Sequence, residues 1–408
     1  MELWLPYGRT EIPIRVPDDN FYRIIEPKKT VGTVDTAALI ENAIDNPVGG
    51  LSLKDIAKPG CKAALIVDPI VPSAARLEAI RIVTSRLATL GVEKPRIFAR
   101  NRLSEGNTSG IEGTQLDPSL NSFTEVGKTS LGTSVEINPE LLSCEVKVVV
   151  GLAMPHFATG FSGGPDAILP SASSIRSIAK NRSLLLKRFP NPLNIGDNPV
   201  LSDSLEACKL VGTIYNVCFE PDGWGGISSA LTGELESVFR EAVSQFIEFR
   251  SSKIERKLDI VVVSAGRMLG FDLYHAVRVI SNVLGSVRKG GTVILVAECS
   301  RGVGNPVFLD YARRFRERKE LSAELRHRFK LGGHVNLFLQ DLSEKCRIQV
   351  VSVLPEVFVQ DTFGLKPSQT ASEAVQKAIR VEGKESKILI VPRGDVTIPT
   401  MEISQAGA

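Results

Sequence analysis

Residues 147–154 read KVVVGLAM, a run in which every residue after Lys147 is apolar or glycine. The run lacks the apolar–polar alternation of a strand with one face in water. It is typical of a strand that helices cover on both faces, as in the parallel sheets of α/β proteins. The run therefore predicts a central parallel strand between two layers of helices.

Similar apolar runs alternate with segments of helical periodicity along the rest of the chain. The other predicted strands are residues 63–68, 95–99, 258–264, 292–297, 347–353 and 387–391. The predicted helices are residues 73–90, 233–249, 271–287, 306–329 and 371–381. Alternation of this kind is the signature of βαβ units. We therefore predict an α/β fold, with two α/β domains and mostly parallel sheets.

The division into two domains follows from chain length and from one polar segment. A chain of 408 residues is longer than one ordinary domain. The segment RSSKIERK, residues 250–257, follows a predicted helix and marks the expected boundary. We expect a first domain over residues 1–252 and a second over residues 256–390. The tail, residues 391–408, is expected either to return to the first domain or to fray.

The composition excludes several classes of protein. The 49 Lys and Arg residues nearly balance 46 Asp and Glu, so no bulk charge favours nucleic acid or an anionic membrane. No run of eighteen apolar residues predicts a transmembrane helix, and residues 1–19 lack the layout of a signal peptide. We expect a cytoplasmic protein without a nucleic-acid or membrane partner.

The stretch GLAMPHFATGFSGGPDAILP, residues 151–170, predicts a ligand site. His156 follows the end of the buried strand, and ligands bind at the carboxyl ends of parallel strands. Ser162, Gly163 and Gly164 form a glycine-rich turn ahead of a predicted helix over residues 171–181. Free N–H groups in such a turn favour phosphate or carboxylate, and a nearby histidine can act as an acid or base. A tight crossover turn with a capping histidine would give the same pattern.

A second candidate site is FDLYHAVR, residues 271–278, at the start of a predicted helix. Tyr274 and Arg278 are four residues apart, so they share one helix face and can reach the same ligand. The planar guanidinium of arginine matches a carboxylate. A surface arginine stacked on a tyrosine would have the same spacing, so both interpretations stay open.

Taken in order, these stretches resemble the nickel-dependent lactate racemase family, whose members carry a nickel-pincer nucleotide. The matching blocks are LPYG (5–8), PHFATGFSGG (155–164), DNPV (197–200), DIVVVSAG (259–266), FDLYHAVR, KGGTVILVAECSRGVGN (289–305), FKLGGH (329–334) and VPRGD (391–395). The resemblance implies two α/β domains with an active-site cleft between them. It also implies a reaction that removes and returns the hydrogen on the hydroxyl-bearing carbon of a 2-hydroxy acid.

The resemblance further implies roles for residues that are kept. His156 corresponds to one of two family histidines that take the hydroxyl proton. Tyr274 corresponds to a substrate-binding tyrosine, and Arg278 stands in place of its lysine partner. We assign His156, Tyr274 and Arg278 to catalysis. The family has an aspartate-threonine-arginine stretch at this point. In this chain Asp68 keeps the aspartate, whereas Val71 stands at the position of the arginine. We assign Asp68 to cofactor binding, as we do the turn of Ser162, Gly163 and Gly164.

Three further positions depart from the family pattern. The second histidine corresponds to Asn101, the cofactor-linking lysine to Asp166 and the nickel-ligating histidine to Arg182. Asparagine cannot act as a general base, a carboxylate cannot form the lysine linkage, and arginine is not a normal metal ligand. We assign these three residues to substrate binding and predict no metal ligand.

The leading hypothesis is a racemase or epimerase of a small 2-hydroxy acid with a divergent cofactor site. By resemblance the partners are a small hydroxy-carboxylate and a nucleotide-type cofactor, the nickel-pincer nucleotide. The alternative is a non-catalytic ligand-binding or sensor relative that has lost the nickel chemistry. A third hypothesis, a nicotinamide dehydrogenase, rests only on the glycines at 302 and 304 after a predicted strand.

Overall fold

The structure is a computed structural model that describes residues 1–27, 35–100, 113–119, 122–187, 189–190 and 193–402. The strands of this part of the chain are β1 Glu2–Tyr7, β2 Thr10–Arg15, β3 Phe21–Ile24, β4 Ala63–Val67, β5 Arg96–Arg100, β6 Thr114–Leu116, β7 Thr124–Lys128, β8 Ser134–Ile137, β9 Val146–Leu152, β10 Pro155–His156, β11 Gly160–Phe161, β12 Tyr215–Pro221, β13 Ile227–Glu234, β14 Ser251–Ile254, β15 Leu258–Ser264, β16 Val287–Val296, β17 Arg347–Val351, β18 Lys366–Ser368, β19 Ile388–Val391 and β20 Ile398–Met401.

The α-helices and the shorter 3₁₀ turns complete the described secondary structure. The α-helices are α1 Thr36–Asp45, α2 Leu53–Ile56, α3 Ser73–Thr89, α4 Pro139–Leu142, α5 Ile175–Ser183, α6 Pro199–Val211, α7 Leu235–Arg250, α8 Gly266–Leu269, α9 Leu273–Ala276, α10 Ile280–Val283, α11 Pro306–Arg314, α12 Arg318–His327, α13 Gly333–Lys345, α14 Glu356–Phe363 and α15 Ala371–Glu382. The 3₁₀ turns are Asp18–Asn20, Pro165–Ala167, Leu184–Leu186, Val277–Val279 and Leu284–Ser286.

The chain forms two compact units. The middle unit contains residues 29–248, and the terminal unit combines residues 1–28 with residues 249–408. The division expected from sequence began the first domain at residue 1, whereas the structure groups residues 1–28 with the C-terminal half. The physical reason is strand pairing, since β3 pairs in parallel with β19 and β20 pairs in parallel with β14.

The middle unit is built on a sheet whose described strands have the order β13-β12-β9-β4-β5-β6. The pairs from β12 to β6 are parallel, and β13 pairs antiparallel with β12. Every residue of β4 and β9 is buried, as the continuous apolar run of residues 147–154 predicts.

The terminal unit is built on a sheet of order β18-β17-β16-β15-β19-β3, in which each described pair is parallel. Leu5 and Ile14 of the β1–β2 hairpin pack with Ile260 and Ile388 in its hydrophobic core. The predicted α/β class with two largely parallel sheets is therefore confirmed. Among the described helices, none has both the length and the apolar character that crossing a bilayer requires.

Two predicted helices are broken in the structure. Residues 306–329 form α11 and α12, because the chain is extended at Phe315 and Arg316 turns its guanidinium to the Thr362 carbonyl oxygen at 2.9 Å. Residues 271–287 form α9 and α10 with 3₁₀ turns after each, and Val287 already belongs to β16. Apolar spacing alone does not distinguish a continuous helix from one with such interruptions.

Candidate functional site

The carboxyl edge of the middle unit's sheet contains a topological switch point. The chain leaves β4 towards β5, whereas it leaves β9 towards β12 on the opposite side. Such a reversal opens a crevice at the carboxyl ends of the two strands, where α/β proteins bind ligands. Asp68 follows β4 directly and its N–H donates to the Val150 carbonyl oxygen at 2.9 Å. Asp68 and His156 therefore extend from two neighbouring strands at this edge.

His156 lies in a short hairpin, where it pairs with Gly160. The N–H groups of Ala158 and Thr159 donate to its Nδ1 at 3.3 and 3.2 Å, and the Thr159 hydroxyl lies 3.0 Å from the same nitrogen. A backbone N–H can only donate, so Nδ1 accepts, and we assign the hydrogen of the neutral ring to Nε2. A histidine in this state offers a hydrogen-bond donor. The acid–base role expected of His156 from sequence stays a prediction.

The loop of this hairpin is anchored by Asn198 from the DNPV block. The Asn198 side-chain oxygen caps α6, because it accepts from the N–H groups of Val200 and Leu201 at 3.0 and 3.1 Å. Its side-chain NH₂ group donates to the Ala158 carbonyl oxygen at 3.1 Å. One side chain therefore fixes the start of a helix and the loop that orients His156.

Gly163 and Gly164 direct their N–H groups to an internal carboxylate. Both donate to Oδ1 of Asp166, at 3.1 and 3.0 Å. A side chain at Gly163 would lie 2.9 Å from the Cys218 sulfur and 3.0 Å from the Ala153 backbone. The conformation of the turn, with Gly163 at a φ of 111°, is thus accounted for by close packing on β9 and β12. Asp166 takes the place that an external anion would have at these N–H groups.

The helix after the turn begins later than residue 171. It starts at Ile175, and Ser174 caps it by accepting from the Ser177 N–H at 3.2 Å. The glycine turn is followed instead by the 3₁₀ turn Pro165–Ala167. The Ser162 hydroxyl donates to the Leu152 carbonyl oxygen at 3.0 Å. The turn and the helix N-terminus are therefore separate features.

Arg182 is buried and attached to a polar network within the same unit. Its guanidinium donates to the Asn181 side-chain oxygen at 2.5 Å. Asn181 in turn donates to the carboxylate of Asp203 at 2.8 Å, which also accepts from the hydroxyls of Thr129 and Thr133. Arg182 thus extends a buried network that ties α5 to α6. Asn101, the third assigned substrate residue, lies outside the described residues.

Arg76 is a buried cation that the sequence analysis missed. It lies on α3, and its guanidinium donates to the carbonyl oxygens of Pro69 and Val71 at 2.9 and 3.4 Å. The guanidinium of Arg76 therefore brings a positive charge to the loop after β4, next to Asp68. In this loop Val71 stands where the resemblance implies an arginine. The sequence signal for Arg76 is an arginine at one of the positions that α3 buries, because a buried charged side chain needs a partner.

The terminal unit presents its own candidate site at the carboxyl edge of its sheet. Tyr274 lies in α9, Arg278 lies in the following 3₁₀ turn, and both are half-buried. The Arg278 guanidinium carbon lies 5.1 Å from the centre of the Tyr274 ring. The pair is therefore close enough for a cation–π contact and for shared contact with one small ligand.

The glycine loop at residues 302–304 packs on the same helix. The N–H groups of Leu273 and Tyr274 donate to the carbonyl oxygens of Gly302 and Val303 at 3.1 and 3.0 Å. The loop therefore presents acceptors towards the start of α9, whereas a phosphate needs donors. Its described contacts support α9 and give no support to a dinucleotide site.

Asp272 and His275 form a second pair that the sequence analysis missed. The Asp272 carboxylate oxygens lie 2.8 and 3.0 Å from Nδ1 of His275, and Oδ1 also accepts from the His275 N–H at 2.8 Å. Asp272 is fully buried and His275 is 6% exposed. An aspartate three residues before a histidine at a helix start is the signal that could have revealed the pair.

Comparison with known proteins decides the family. A model of the lactate racemase N-terminal domain matches residues 7–99 and 116–190, and a model of the lactate racemase C-terminal domain matches residues 254–398. The chain belongs to the lactate racemase family. The lactate racemases of Thermoanaerobacterium thermosaccharolyticum and Lactiplantibacillus plantarum are each 23% identical to it, over 96% of this chain and 97% of the relative.

Solved structures agree on the fold. The lactate racemase apoprotein from T. thermosaccharolyticum has a TM-score of 0.84 at 22% identity and covers 98% of this chain and all of its own. A Thermotoga maritima protein has a TM-score of 0.68 at 13% identity, over 90% of this chain and 99% of its own. These likenesses establish a lactate racemase fold for this family member.

The family's nickel-pincer nucleotide does not fit the residues present. The resemblance implies that the linking lysine's position is Asp166, whose carboxylate is bound by two N–H groups of its own turn. The resemblance likewise implies that the nickel ligand's position is Arg182, whose guanidinium has no lone pair available for a metal. Within the described residues, His, Cys, Asp and Glu side chains form no group of three that could hold a metal ion.

Proposed function

We propose that this chain is a lactate-racemase-like isomerase, a racemase or epimerase that acts on a small 2-hydroxy acid with a divergent cofactor site. The observation that carries the proposal is the stacked Tyr274–Arg278 pair, in a chain that matches the family's models in both halves. This pair supplies a hydroxyl and a planar cation, the groups that a carboxylate needs.

Each residue has a role that its contacts support. Arg278 pairs with the substrate carboxylate, and Tyr274 positions the guanidinium and donates from its hydroxyl. In the middle unit, His156 carries its ring hydrogen on Nε2, because its Nδ1 is engaged by N–H groups. Asp68, with Arg76 beside its loop, lines the same edge as His156. Asp166 accepts from the N–H groups of Gly163 and Gly164, and Arg182 donates to Asn181, so we give Asp166 and Arg182 a structural role.

The reaction we propose is proton exchange at C2, which needs no hydride acceptor. The C2–H bond breaks, the proton passes to a hydroxide ion of the solvent to form water, and the electron pair passes into the carboxylate. The extra negative charge lies next to the Arg278 guanidinium, which stabilises it. Return of a proton to either face restores the acid with retained or inverted configuration.

The test measures exchange and metal content together. D-lactate or L-lactate is incubated with the protein in D₂O, and loss of the C2 proton signal is followed by NMR. The protein is made both alone and alongside the enzymes that synthesise the nickel cofactor. Exchange by nickel-free protein, reduced at least tenfold in Arg278→Met and partly kept in Arg278→Lys, is the expected result. Exchange confined to preparations with stoichiometric nickel would refute proton transfer without the cofactor.

A non-catalytic binding or sensor relative is the second candidate. The observation that favours it is the internal use of the Asp166 carboxylate by Gly163 and Gly164. This candidate predicts that D- or L-lactate raises the melting temperature without exchange of the C2 proton on any small 2-hydroxy acid. Exchange above the rate of the Arg278→Met variant would eliminate it.

A further inference from the structure

We propose that a pocket between the end of α6 and the start of α7 binds a small primary ammonium ion with an aliphatic chain. The pocket has a volume of about 300 Å³, at the lower end of the range for small-molecule sites. Its lining comes from the C-terminal half of α6, the residues that lead into β12, and the junction of β13 with α7. The proposed isomerase uses none of these residues, so the inference does not depend on it.

The pocket lies at the amino edge of the middle unit's sheet, where the parallel strands begin. Ile214 directly precedes β12, and Glu234 ends β13, the antiparallel neighbour of β12. The Leu235 N–H donates to the Ile214 carbonyl oxygen at 3.2 Å and holds the start of α7 against this edge. Asp68 and His156 extend from the carboxyl edge of the same sheet. The pocket is therefore separate from the site at that edge.

Four buried side chains give the pocket an apolar wall. They belong to Leu205, Cys208, Ile214 and Leu235. Burial raises the pKa of the Cys208 thiol, so this side chain stays protonated and adds no charge to the wall. An unbranched hydrocarbon chain gains about fourfold in affinity for each methylene group that it buries on such a surface.

The charged side chains that line the pocket have a net charge of −1, from one Lys and two Glu. The Glu236 carboxylate already pairs with Lys209 at 3.0 Å and with Arg240 at 2.7 Å. In the part of the chain that the structure describes, Glu234 forms no ion pair, and its Oε2 accepts from the N–H and hydroxyl of Ser237 at 2.8 and 2.9 Å. A ligand cation can therefore pair with Glu234 without breaking an existing ion pair.

The end of α6 adds hydrogen-bond acceptors to the pocket. The helix ends at Val211, and Gly212 follows with a φ of 100° and donates its N–H to the Lys209 carbonyl oxygen at 3.2 Å. Carbonyl groups in the last turn of a helix lack intrahelical partners, and the helix dipole makes this end negative. An ammonium ion has three donors and no acceptor. It suits both the Glu234 carboxylate and the end of α6, whereas a carboxylate ligand suits neither.

The pocket wall also contacts the turn that Asp166 stabilises. The Cys208 thiol donates to the Pro165 carbonyl oxygen at 3.7 Å. A Cβ atom added to Gly164 would lie 3.7 Å from Cγ of Leu235, so Leu235 packs beside this glycine. Two side chains of the pocket wall therefore touch the turn. We expect a bound ammonium ion to change the NMR signal of the Gly164 amide.

An NMR titration with n-butylammonium, ethylammonium, 1-butanol and butyrate tests the proposal. We expect n-butylammonium to bind about tenfold more tightly than ethylammonium, which has two fewer methylene groups, and about fivefold more tightly than 1-butanol, which has no charge. Butyrate should bind least. Amide signals of Cys208, Leu235 and Gly164 should shift in the titration.

Three results of this titration would overturn the proposal. The first is equal affinity of n-butylammonium and 1-butanol. The second is a set of shifts located at Tyr274 and Arg278 in place of the pocket. The third is an absence of binding by n-butylammonium at about 20 mM.

Glu234→Gln tests the role of the charge. Glutamine keeps an oxygen that can accept from Ser237. We expect the affinity for n-butylammonium to fall about fivefold, while the affinity for 1-butanol stays within about twofold. Glu248→Gln removes an exposed carboxylate from the same helix and should leave both affinities unchanged. An n-butylammonium affinity that Glu234→Gln does not alter would refute the proposal.

Lys209→Met should act in the opposite direction. Its side chain is 69% exposed, so the fold does not depend on it. Removal of this ammonium group takes away a repulsive charge and leaves Glu236 with Arg240 as a partner, so n-butylammonium should bind about twofold to fivefold more tightly. Unchanged or weaker binding would contradict the proposal. C2 exchange on lactate should be the same in both variants as in the unmodified protein, so loss of the proposed isomerase activity and loss of ammonium binding are separate outcomes.

Discussion

Asp166 shows at the residue scale how one carboxylate can stabilise a turn. Replacement by alanine leaves the N–H groups of Gly163 and Gly164 buried without an acceptor, whereas asparagine keeps an oxygen for both. We expect Asp166→Ala to lower the free energy of unfolding by about 2 kcal/mol and Asp166→Asn by less than about 1 kcal/mol. Urea denaturation of the two variants measures the difference. Equal midpoints would mean that the N–H groups do not depend on the carboxylate.

Asp395 is a second carboxylate with an unusual environment, at the end of the VPRGD block. Burial, the largest cause, raises its pKa from 3.8 to about 7, and backbone N–H groups such as that of Met268 only partly oppose this rise. In the unfolded chain the group loses its proton at lower pH. The free energy of unfolding should therefore fall as pH rises from about 4 to about 7 and stay level above that.

Asp395→Asn should remove this contribution to the pH dependence. The variant cannot ionise, so its stability relative to the unmodified protein should be greater at pH 8 than at pH 5. Denaturation midpoints at these two pH values provide the measurement. Asp18→Asn, at an exposed position in the same unit, serves as the control and should keep the original slope. A slope unchanged by Asp395→Asn would assign the pH dependence to other groups.

The site residues differ in how far the sequence could predict them. Tyr274 and Arg278 could be paired from spacing because a helix turn brings them together. The carboxylate of Asp166 could not be assigned to Gly163 and Gly164, because a turn can bind either its own side chain or an external anion. The role of His275 could not be predicted, because its contact with Asp272 depends on how Asp272 caps α9. Residue spacing alone does not reveal that cap.

At the scale of elements, Asn198 joins a helix to a loop. Asn198→Ala removes the cap of α6 and the bond to the Ala158 carbonyl oxygen, so we expect a loss of about 1 to 2 kcal/mol. Asn198→Asp keeps the cap but loses the donor to Ala158. It should keep the protection of the α6 amides, whereas the backbone amides of the His156 hairpin should exchange faster because a carboxylate oxygen faces the Ala158 carbonyl oxygen. Hydrogen exchange measured by mass spectrometry distinguishes the two effects.

Element boundaries were harder to predict than element types. The strand over residues 147–154 was evident because an unbroken apolar run has few other interpretations, and β9 covers most of it. The predicted helix over residues 171–181 begins instead at Ile175, because Ser174 and not Ser171 provides the cap. Two serines three residues apart offer the same local signal, and tertiary packing selects between them.

At the scale of the whole molecule, the N-terminal segment supports the C-terminal half. Its β3 pairs with β19, and Leu5 and Ile14 lie in the core of the terminal unit. We expect deletion of residues 1–27 to increase amide exchange across β15 and β19 at least tenfold. Amides of β4 in the middle unit serve as the internal reference and should change much less. Protection of β15 unaffected by the deletion would show that the segment is dispensable.

Membership of the two chain ends in one unit was not predictable from local pattern. Residues 1–28 contain short strands that any neighbouring sheet could accept, so sequence proximity assigned them to the first domain. The all-parallel order of the terminal sheet leaves an edge at β19, and β3 occupies that edge. Pairing between distant segments depends on which edge is open, which composition and periodicity do not encode.

The pairing of Phe21 with Ile388 also has a consequence for synthesis on the ribosome. At 5–20 residues per second, the N-terminal strand must wait roughly 20 to 70 s before its partner emerges. During this interval the middle unit can fold, while the apolar side chains of the N-terminal hairpin remain without their final neighbours. A nascent chain of this protein is therefore expected to engage chaperones through residues 2–24 until β19 has been translated.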